Sequence, residues 1–262
     1  MKSAREGGSV RYRARVEYEG TEFAGFQAQP GHRTVQGEME RVLAHLSGEP
    51  TIRINVAGRT DAGVHATGQV IAFTWSGSMA AKELGQAIGA LLPADVAIGP
   101  LTRVALDFDP RRAATRREYR YSIWTGPHRP LGRRTVYELD ERLDAEAMHR
   151  AAQHLVGSHD FASYGRVQHT SIRTLYEIRV RRRGHLVTID VAGDAFLRQM
   201  VRSIVAALIR IGMGRATAED LVGGLRSPVR AFEGAVAPAR GLCLRRVVIG
   251  RSRTRKNDKE ER

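Results

Sequence analysis

Arg11-Tyr12-Arg13-Ala14-Arg15-Val16-Glu17-Tyr18-Glu19 alternates without a break. Tyr12, Ala14, Val16 and Tyr18 fall on one side, and Arg11, Arg13, Arg15, Glu17 and Glu19 on the other. A period of two predicts a strand buried on one face only. A glycine-bearing loop, Gly20 to Gly31, follows. Thr34 then stands as an N-cap before Val35, Met39, Val42, Leu43 and Leu46, which recur at helical spacing. Ile52, Ile54 and Val56 alternate again, Gly58 to Thr67 reads as a loop, and Val70 to Trp75 reads as a strand. Leu84, Ala87, Ile88 and Leu91 mark a second helix that Pro93 stops, and Val96 to Val104 returns as strand. The order β-α-β-β-α-β is the split-βαβ, or ferredoxin-like, unit.

The second half predicts the same unit again. Glu118 to Trp124 alternates with Tyr119, Tyr121 and Ile123 on one side. Asp144 caps a helix carrying Met148, Ala152 and Leu155. Strands at Leu175 to Arg182 and Leu186 to Ala192 are joined at Arg183-Gly184. A long helix from about Ala195 to Ile211 and a shorter one near Ala218 to Leu225 precede a closing strand, Arg245 to Ile249. The expected fold is α+β: two tandem ferredoxin-like subdomains with mostly antiparallel sheets, helices on one face and a cleft on the other. Residues 1–9 are expected as a flexible N-terminus, 10–106 and 117–250 as the two subdomains, and 107–116 as a linker interrupted by Pro110. The stretch 251–262, charged and without apolar residues, is expected to be a disordered tail.

Composition narrows the function. The 262 residues are 42% hydrophobic and 27% charged, the balance of a globular chain rather than a disordered or low-complexity one. Lys and Arg number 42 against 28 Asp and Glu, a net charge of +14 that points to a polyanionic partner. Cys243 is the single cysteine, which forbids an internal disulfide and any CxxC metal site. The longest charge-free run, Ala62 to Ala81, holds His65, Gln69 and several Gly, Thr and Ser, and would not cross lipid as a helix. Met1 to Tyr12 has no apolar stretch of the secretory kind, so a cytoplasmic protein with no membrane partner is expected.

Three places could carry chemistry. Ala57-Gly58-Arg59-Thr60-Asp61-Ala62-Gly63-Val64-His65-Ala66-Thr67-Gly68-Gln69 sets three glycines, an Arg, an Asp and a His on a loop between strands. Asp61 there is either an Asx-turn residue before Gly63 or a working carboxylate, and His65 either a structural or a functional imidazole. Arg202 lies in a helix with Phe196, Met200, Val201, Ile204, Val205, Leu208 and Ile209, apolar nearly all round. Its guanidinium either needs an anionic partner or snorkels outward with Arg198. Tyr119 and Tyr121, preceded by Arg116 and Arg117, suit either a packed core or stacking against an exposed base. There is no G-x-x-x-x-G-K-[ST] loop and no Rossmann fingerprint. His149, His154 and His159, spaced by five, do not share a helical face. No cofactor and no metal are expected.

Gly58-Arg59-Thr60-Asp61-Ala62-Gly63-Val64-His65 resembles the signature of the TruA family of tRNA pseudouridine synthases. Further segments agree in order: Tyr18-Glu19-Gly20-Thr21 with Phe23-Ala24-Gly25-Phe26-Gln27, then Arg117-Glu118-Tyr119-Arg120-Tyr121, then Phe196-Leu197-Arg198-Gln199-Met200-Val201-Arg202, and Gly241-Leu242-Cys243-Leu244. The chain departs from the family pattern with Phe26 in place of Trp, Glu19 in place of Asp, and Asp109-Pro110 in place of His-Ala. The resemblance implies a duplicated ferredoxin-like fold and a homodimer acting without cofactor on uridines 38 to 40 of the tRNA anticodon stem-loop. It also implies Asp61 as catalytic aspartate, Arg202 as its ion-pair partner, Tyr119 over the target uracil, and Arg59 helping to displace that base. His65, Arg111, Arg112, Arg116 and Arg117 are further candidate RNA contacts. The competing expectations are a non-catalytic RRM-like RNA-binding module and a metal-dependent phosphodiesterase using Asp61 and His65. The first lacks an RNP-like aromatic run, the second a further acidic cluster.

Overall fold

The described residues of the computed structural model are 8–167, 169–226 and 236–250. The tail expected at 251–262 and most of the expected N-terminal segment lie outside them. Strand β1 (Val10–Tyr18) forms where the alternation places it, and Tyr12, Ala14, Val16 and Tyr18 are buried. Helix α1 (Val35–Ser47) starts where the Thr34 hydroxyl accepts from the Gly37 N–H and ends at Gly48, whose φ of 72° suits a residue without a Cβ. The first half continues through β2 (Asn55–Val56), β3 (His65–Trp75), α2 (Ala81–Leu91), β4 (Val96–Ile98) and β5 (Thr102–Val104). The strand expected over 96–104 is thus two short ones. Gly99-Pro100 interrupts it, since proline has no N–H for the ladder, and each piece pairs with its own stretch of β1.

The segment expected as a linker contains a single helical turn, α3 (Pro110–Ala113). The Asp109 carboxylate caps it by accepting from the N–H groups of Arg111 and Arg112. The chain then runs directly into β6 (Ala114–Trp124). The second half follows as β7 (Tyr137–Glu138), α4 (Ala145–Ala152), β8 (Gly157–Asp160), β9 (Ile172–Arg183), β10 (Leu186–Gly193), α5 (Met200–Gly212), α6 (Ala218–Arg226) and β11 (Leu242–Ile249). Helix α5 begins five residues later than the apolar periodicity predicts. Gln199 takes a left-handed φ of 67°, so Ala195 to Gln199 stays outside the helix.

The strands of both halves form one sheet in the order β4-β1-β3-β11-β6-β10-β9-β8. All neighbours along this path are antiparallel except β3 and β11, which pair in parallel through Cys243 with His65 and Leu244 with Ala66. Counting four principal strands along each half, both halves show the same spatial order, fourth-first-third-second. The last strand of the second half is therefore the joint between them. At that joint Gly68 is the only residue type that fits, because a Cβ there would stand 2.2 Å from the Arg245 carbonyl oxygen of β11.

Register carries one row of side chains across the joint. Tyr18 is opposite Ala66, Ala66 opposite Leu244, and Leu244 opposite Tyr119, all four buried. This row belongs to the face that packs under α1 and α2 in one half and α4 and α5 in the other. The other face carries Arg116, Glu118, Arg120, Glu177, Arg181 and Asp190, which line an open, charged depression. The cleft expected opposite the helices is matched there only by this open depression, and Asp61 and Arg202 do not line it. Tyr119 shares its side of β6 with Tyr121 and Ile123, so the residues expected to react gather between the helices of the two halves.

Candidate active site

The loop joining β2 to β3 carries Asp61 and is tied down from three directions. The hydroxyls of Tyr18 and Thr60 are 2.8 Å apart in a buried hydrogen bond, and the Phe26 N–H donates to the Thr60 carbonyl at 3.1 Å. The Gln69 amide donates to the Gly58 carbonyl at 2.6 Å. From the other half, Arg117 donates to the Ala57 carbonyl through both Nε (3.2 Å) and Nη2 (2.7 Å). Within the loop, the Val64 N–H closes a turn on the Asp61 carbonyl at 3.2 Å, and Gly63 supplies the φ of +75° that this turn requires. The turn is closed by backbone atoms rather than by the Asp61 side chain, so the Asx-turn expectation does not hold and the carboxylate takes no part in the turn.

What that carboxylate meets is cationic. Asp61 Oδ2 lies 3.7 Å from Nη1 of Arg202 in the first turn of α5, and Oδ1 lies 3.4 Å from Nε of Arg198. Among the described residues no hydrogen bond fixes either oxygen more tightly, so the carboxylate is held by charge and can turn toward another group. Arg202 itself is held firmly. Its Nε donates to the Ala237 carbonyl at 2.6 Å while its own carbonyl accepts from the Ala237 N–H at 3.1 Å. Arg202 therefore points inward to an anion, and Arg198, its expected companion on the surface, also reaches Asp61.

Tyr119 completes the group. Its ring is 8% exposed and meets Phe196 edge to face with centroids 5.1 Å apart. Three of the other four buried tyrosines donate to or pair with protein groups: Tyr18 with Thr60, Tyr121 with the Pro238 carbonyl, and Tyr164 with the Leu221 carbonyl, while the Tyr12 hydroxyl makes no hydrogen bond among the described residues. The Tyr119 hydroxyl makes no such bond among the described residues. Burial, reinforced by the nearby Asp61 charge and opposed by Arg117, pushes its pKa up to about 12, so the phenol is neutral at ordinary pH.

The remaining expected residues divide. Arg59, Arg111 and Arg112 have exposed side chains. Arg116 is half-buried and engaged with Glu118 at 2.7 Å and Glu177 at 3.5 Å on the helix-free face. Arg117 does not fit the expectation of an RNA contact. It is 8% exposed, and its donors go to the carbonyls of Ala57, Asp194 and Arg111. His65 does not fit it either. Nδ1 accepts from the Gly20 N–H at 2.9 Å, which leaves Nε2 to donate to the Arg240 carbonyl at 3.1 Å, and the ring is buried. Both side chains bind one half to the other, using every polar atom they have.

A family model described as tRNA pseudouridine synthase matches residues 14–111 and 151–248. The chain belongs to that family. As such it is an isomerase, and the two matched stretches carry Asp61 and Arg202 respectively. Relatives named tRNA pseudouridine synthase A include that of Solidesulfovibrio magneticus, 42% identical over 92% of this chain and 92% of the relative. That of Geotalea uraniireducens is 40% identical over 87% of this chain and 95% of the relative, and that of Geobacter sulfurreducens 40% identical over 88% and 96%. A solved structure titled as a Cbf5-Nop10-Gar1 complex aligns at 12% identity with a TM-score of 0.31, covering 77% of this chain and 54% of that one, too loosely to bear on the fold.

Family membership also throws the residues that sequence reading missed into relief. Arg198 enters the sequence reading only as a companion with which Arg202 could snorkel outward; with the helix starting at Met200, it instead reaches Asp61. Tyr18, Thr60 and Gln69 look like ordinary strand and loop residues until the register brings them together. Among the described residues no three His, Cys, Asp or Glu side chains group as metal ligands, and no helix is long and apolar enough to cross a membrane.

Proposed function

We propose that the protein converts uridine to pseudouridine at positions 38 to 40 of the tRNA anticodon stem-loop, working in the cytoplasm as a homodimer. In this reading Asp61 is the catalytic carboxylate, Arg202 its ion-pair partner and Tyr119 the platform for the target base. The observation that carries it is the meeting of Asp61, from the loop before β3, with Arg202, from α5 of the other half, beside Tyr119. The substrate class is supported by the relatives' shared name, and the position in tRNA by the motif resemblance. The repeated strand order supports reading residues 10–106 and 117–250 as tandem ferredoxin-like subdomains joined through 107–116.

The chemistry suits these groups. The N1–C1′ bond of uridine breaks, the base turns, C5 joins C1′, the C5 proton leaves and N1 gains one, so substrate and product are isomers and no redox equivalent is consumed. A carboxylate paired with guanidinium groups can serve as nucleophile or base where a carbon gains positive character. The base must first leave its stack, at a cost of a few kcal/mol, and contact with the Tyr119 ring offsets part of this. Phosphates of the stem would meet the exposed Arg59, Arg111 and Arg112. Affinity should then fall by roughly 0.7–0.9 log units per contact for each tenfold rise in salt. The pairing of Asp61 with two arginines favours catalysis over an RRM-like module that only binds RNA.

The test is to incubate the purified chain with unmodified tRNA and map pseudouridine by position, alongside Asp61→Ala. The variant should fold and bind tRNA while tritium release from 5-tritiated uridine drops by at least about 10³-fold. Near wild-type release by the variant would remove Asp61 from its role.

A further inference from the structure

We infer that Arg198 is a displaceable second cation of the active site, pairing with Asp61 and giving up that pairing for a backbone phosphate beside the target uridine when tRNA docks. The inference rests on Asp61 being the catalytic carboxylate.

The two arginines that reach Asp61 are built differently. Arg202 has a side chain only 14% exposed, and its Nε and its carbonyl are both tied to Ala237. It cannot leave Asp61 Oδ2 without breaking that bracket. Arg198 has a side chain 60% exposed, and among the described residues Asp61 Oδ1 is the sole anion that its guanidinium meets, at 3.4 Å. An ion pair so exposed and so loosely aligned contributes little and is readily exchanged.

The backbone beneath Arg198 is nonetheless fixed. Its carbonyl accepts from the Arg166 N–H at 3.0 Å in an isolated bridge between two loops. Gln199, the one described non-glycine residue with a positive φ, turns the chain so that Arg198 stands outside α5 and at the rim. The root of the side chain is anchored and its head is loose. A planar guanidinium matches a phosphate's two oxygens better than a single carboxylate oxygen at this distance. Its departure uncovers Oδ1, the carboxylate oxygen that Arg202 does not hold, for the ribose or the base. Arg198 is thus a positioning residue that couples RNA docking to exposure of the reactive oxygen.

The measurements are tRNA binding by fluorescence anisotropy over a salt series, and single-turnover tritium release at saturating tRNA, for wild type, Arg198→Ala and Arg198→Lys. For Arg198→Ala, Kd at low salt should weaken about five- to tenfold, and the slope of log Kd against log salt should shrink by about 0.7–0.9, one phosphate contact. The saturated rate should fall by less, about threefold, and Arg198→Lys should keep the wild-type slope. An unchanged slope in Arg198→Ala would overturn the inference. So would a loss of saturated rate beyond about 100-fold at unchanged Kd, since that would make Arg198 a fixed part of the chemistry. If the wild-type chain bound tRNA but released no tritium, the functional reading would fall, and the salt slope would still report separately on the phosphate contact.

Discussion

The two halves share a strand order but contribute to the site in opposite ways. The first half offers the Asp61 carboxylate on a loop, the least constrained kind of backbone. The second half offers Arg202 from the first turn of a buried helix and Tyr119 from a central strand, where regular hydrogen bonding already fixes direction. The loop reaches comparable definition only because its carbonyls at Ala57, Gly58 and Thr60 are each taken by a donor from elsewhere, one of them Arg117 of the other half. A side chain on a helix inherits its position; one on a loop has to be given it, bond by bond.

That contrast can be broken most sharply at Arg202. Arg202→Ala should lower the rate of pseudouridine formation by about 10²–10³-fold, the usual consequence of removing a charged donor from a partly enclosed site. Stability should fall only modestly, by about 1–2 kcal/mol, because Asp61 retains Arg198 and some exposure to water. Single-turnover tritium release and the thermal midpoint check the two parts, and a protein destabilised as much as it is inactivated would show that the helix, not the chemistry, depends on Arg202. Next in size, Arg117→Met should cost about 2–4 kcal/mol by leaving buried carbonyls of both halves without donors. Its tRNA binding at permissive temperature should keep the wild-type salt slope. A reduced slope would restore Arg117 to the RNA interface.

The smallest effect concerns pH. Burial raises the pKa of Tyr119 to about 12 and pushes Tyr18, Tyr121 and Tyr164 up as well. A folded-state pKa above the unfolded value near 10 gives stability that is complete below pH 10 and is lost as pH climbs toward the folded value. Thermal midpoints should therefore drop between pH 10 and 12. Tyr119→Phe should lessen that drop slightly while leaving the midpoint at pH 8 nearly unchanged. A drop of the same size in the variant would mean that Tyr119 ionises as readily folded as unfolded.

Much of this was legible in the residues. The Thr34 cap, the alternation of β1 and the apolar face of α5 are local patterns, and local patterns survive into the structure. The parity of β6 was legible too: Arg117, Tyr119, Tyr121 and Ile123 are alternate residues, so an Arg among them had to be buried. Grouping Arg117 with its neighbour Arg116 as a basic patch overlooked that period of two, which sends adjacent side chains to opposite faces. The late start of α5 was not legible, because nothing in Gln199 itself demands a left-handed backbone. Nor was the face on which the site lies, since that depends on β11 pairing with β3, a contact between residues far apart in the chain.

That pairing has a consequence for assembly. β11 is the last described strand in sequence yet sits mid-sheet, between β3 and β6, like the final stave that closes a cask. A chain interrupted before Leu242 would leave two long raw margins, each able to recruit a stranger's strand, with no partner to bring them together. One late-arriving strand, made from residues far along the chain, therefore decides whether the two halves share a single sheet.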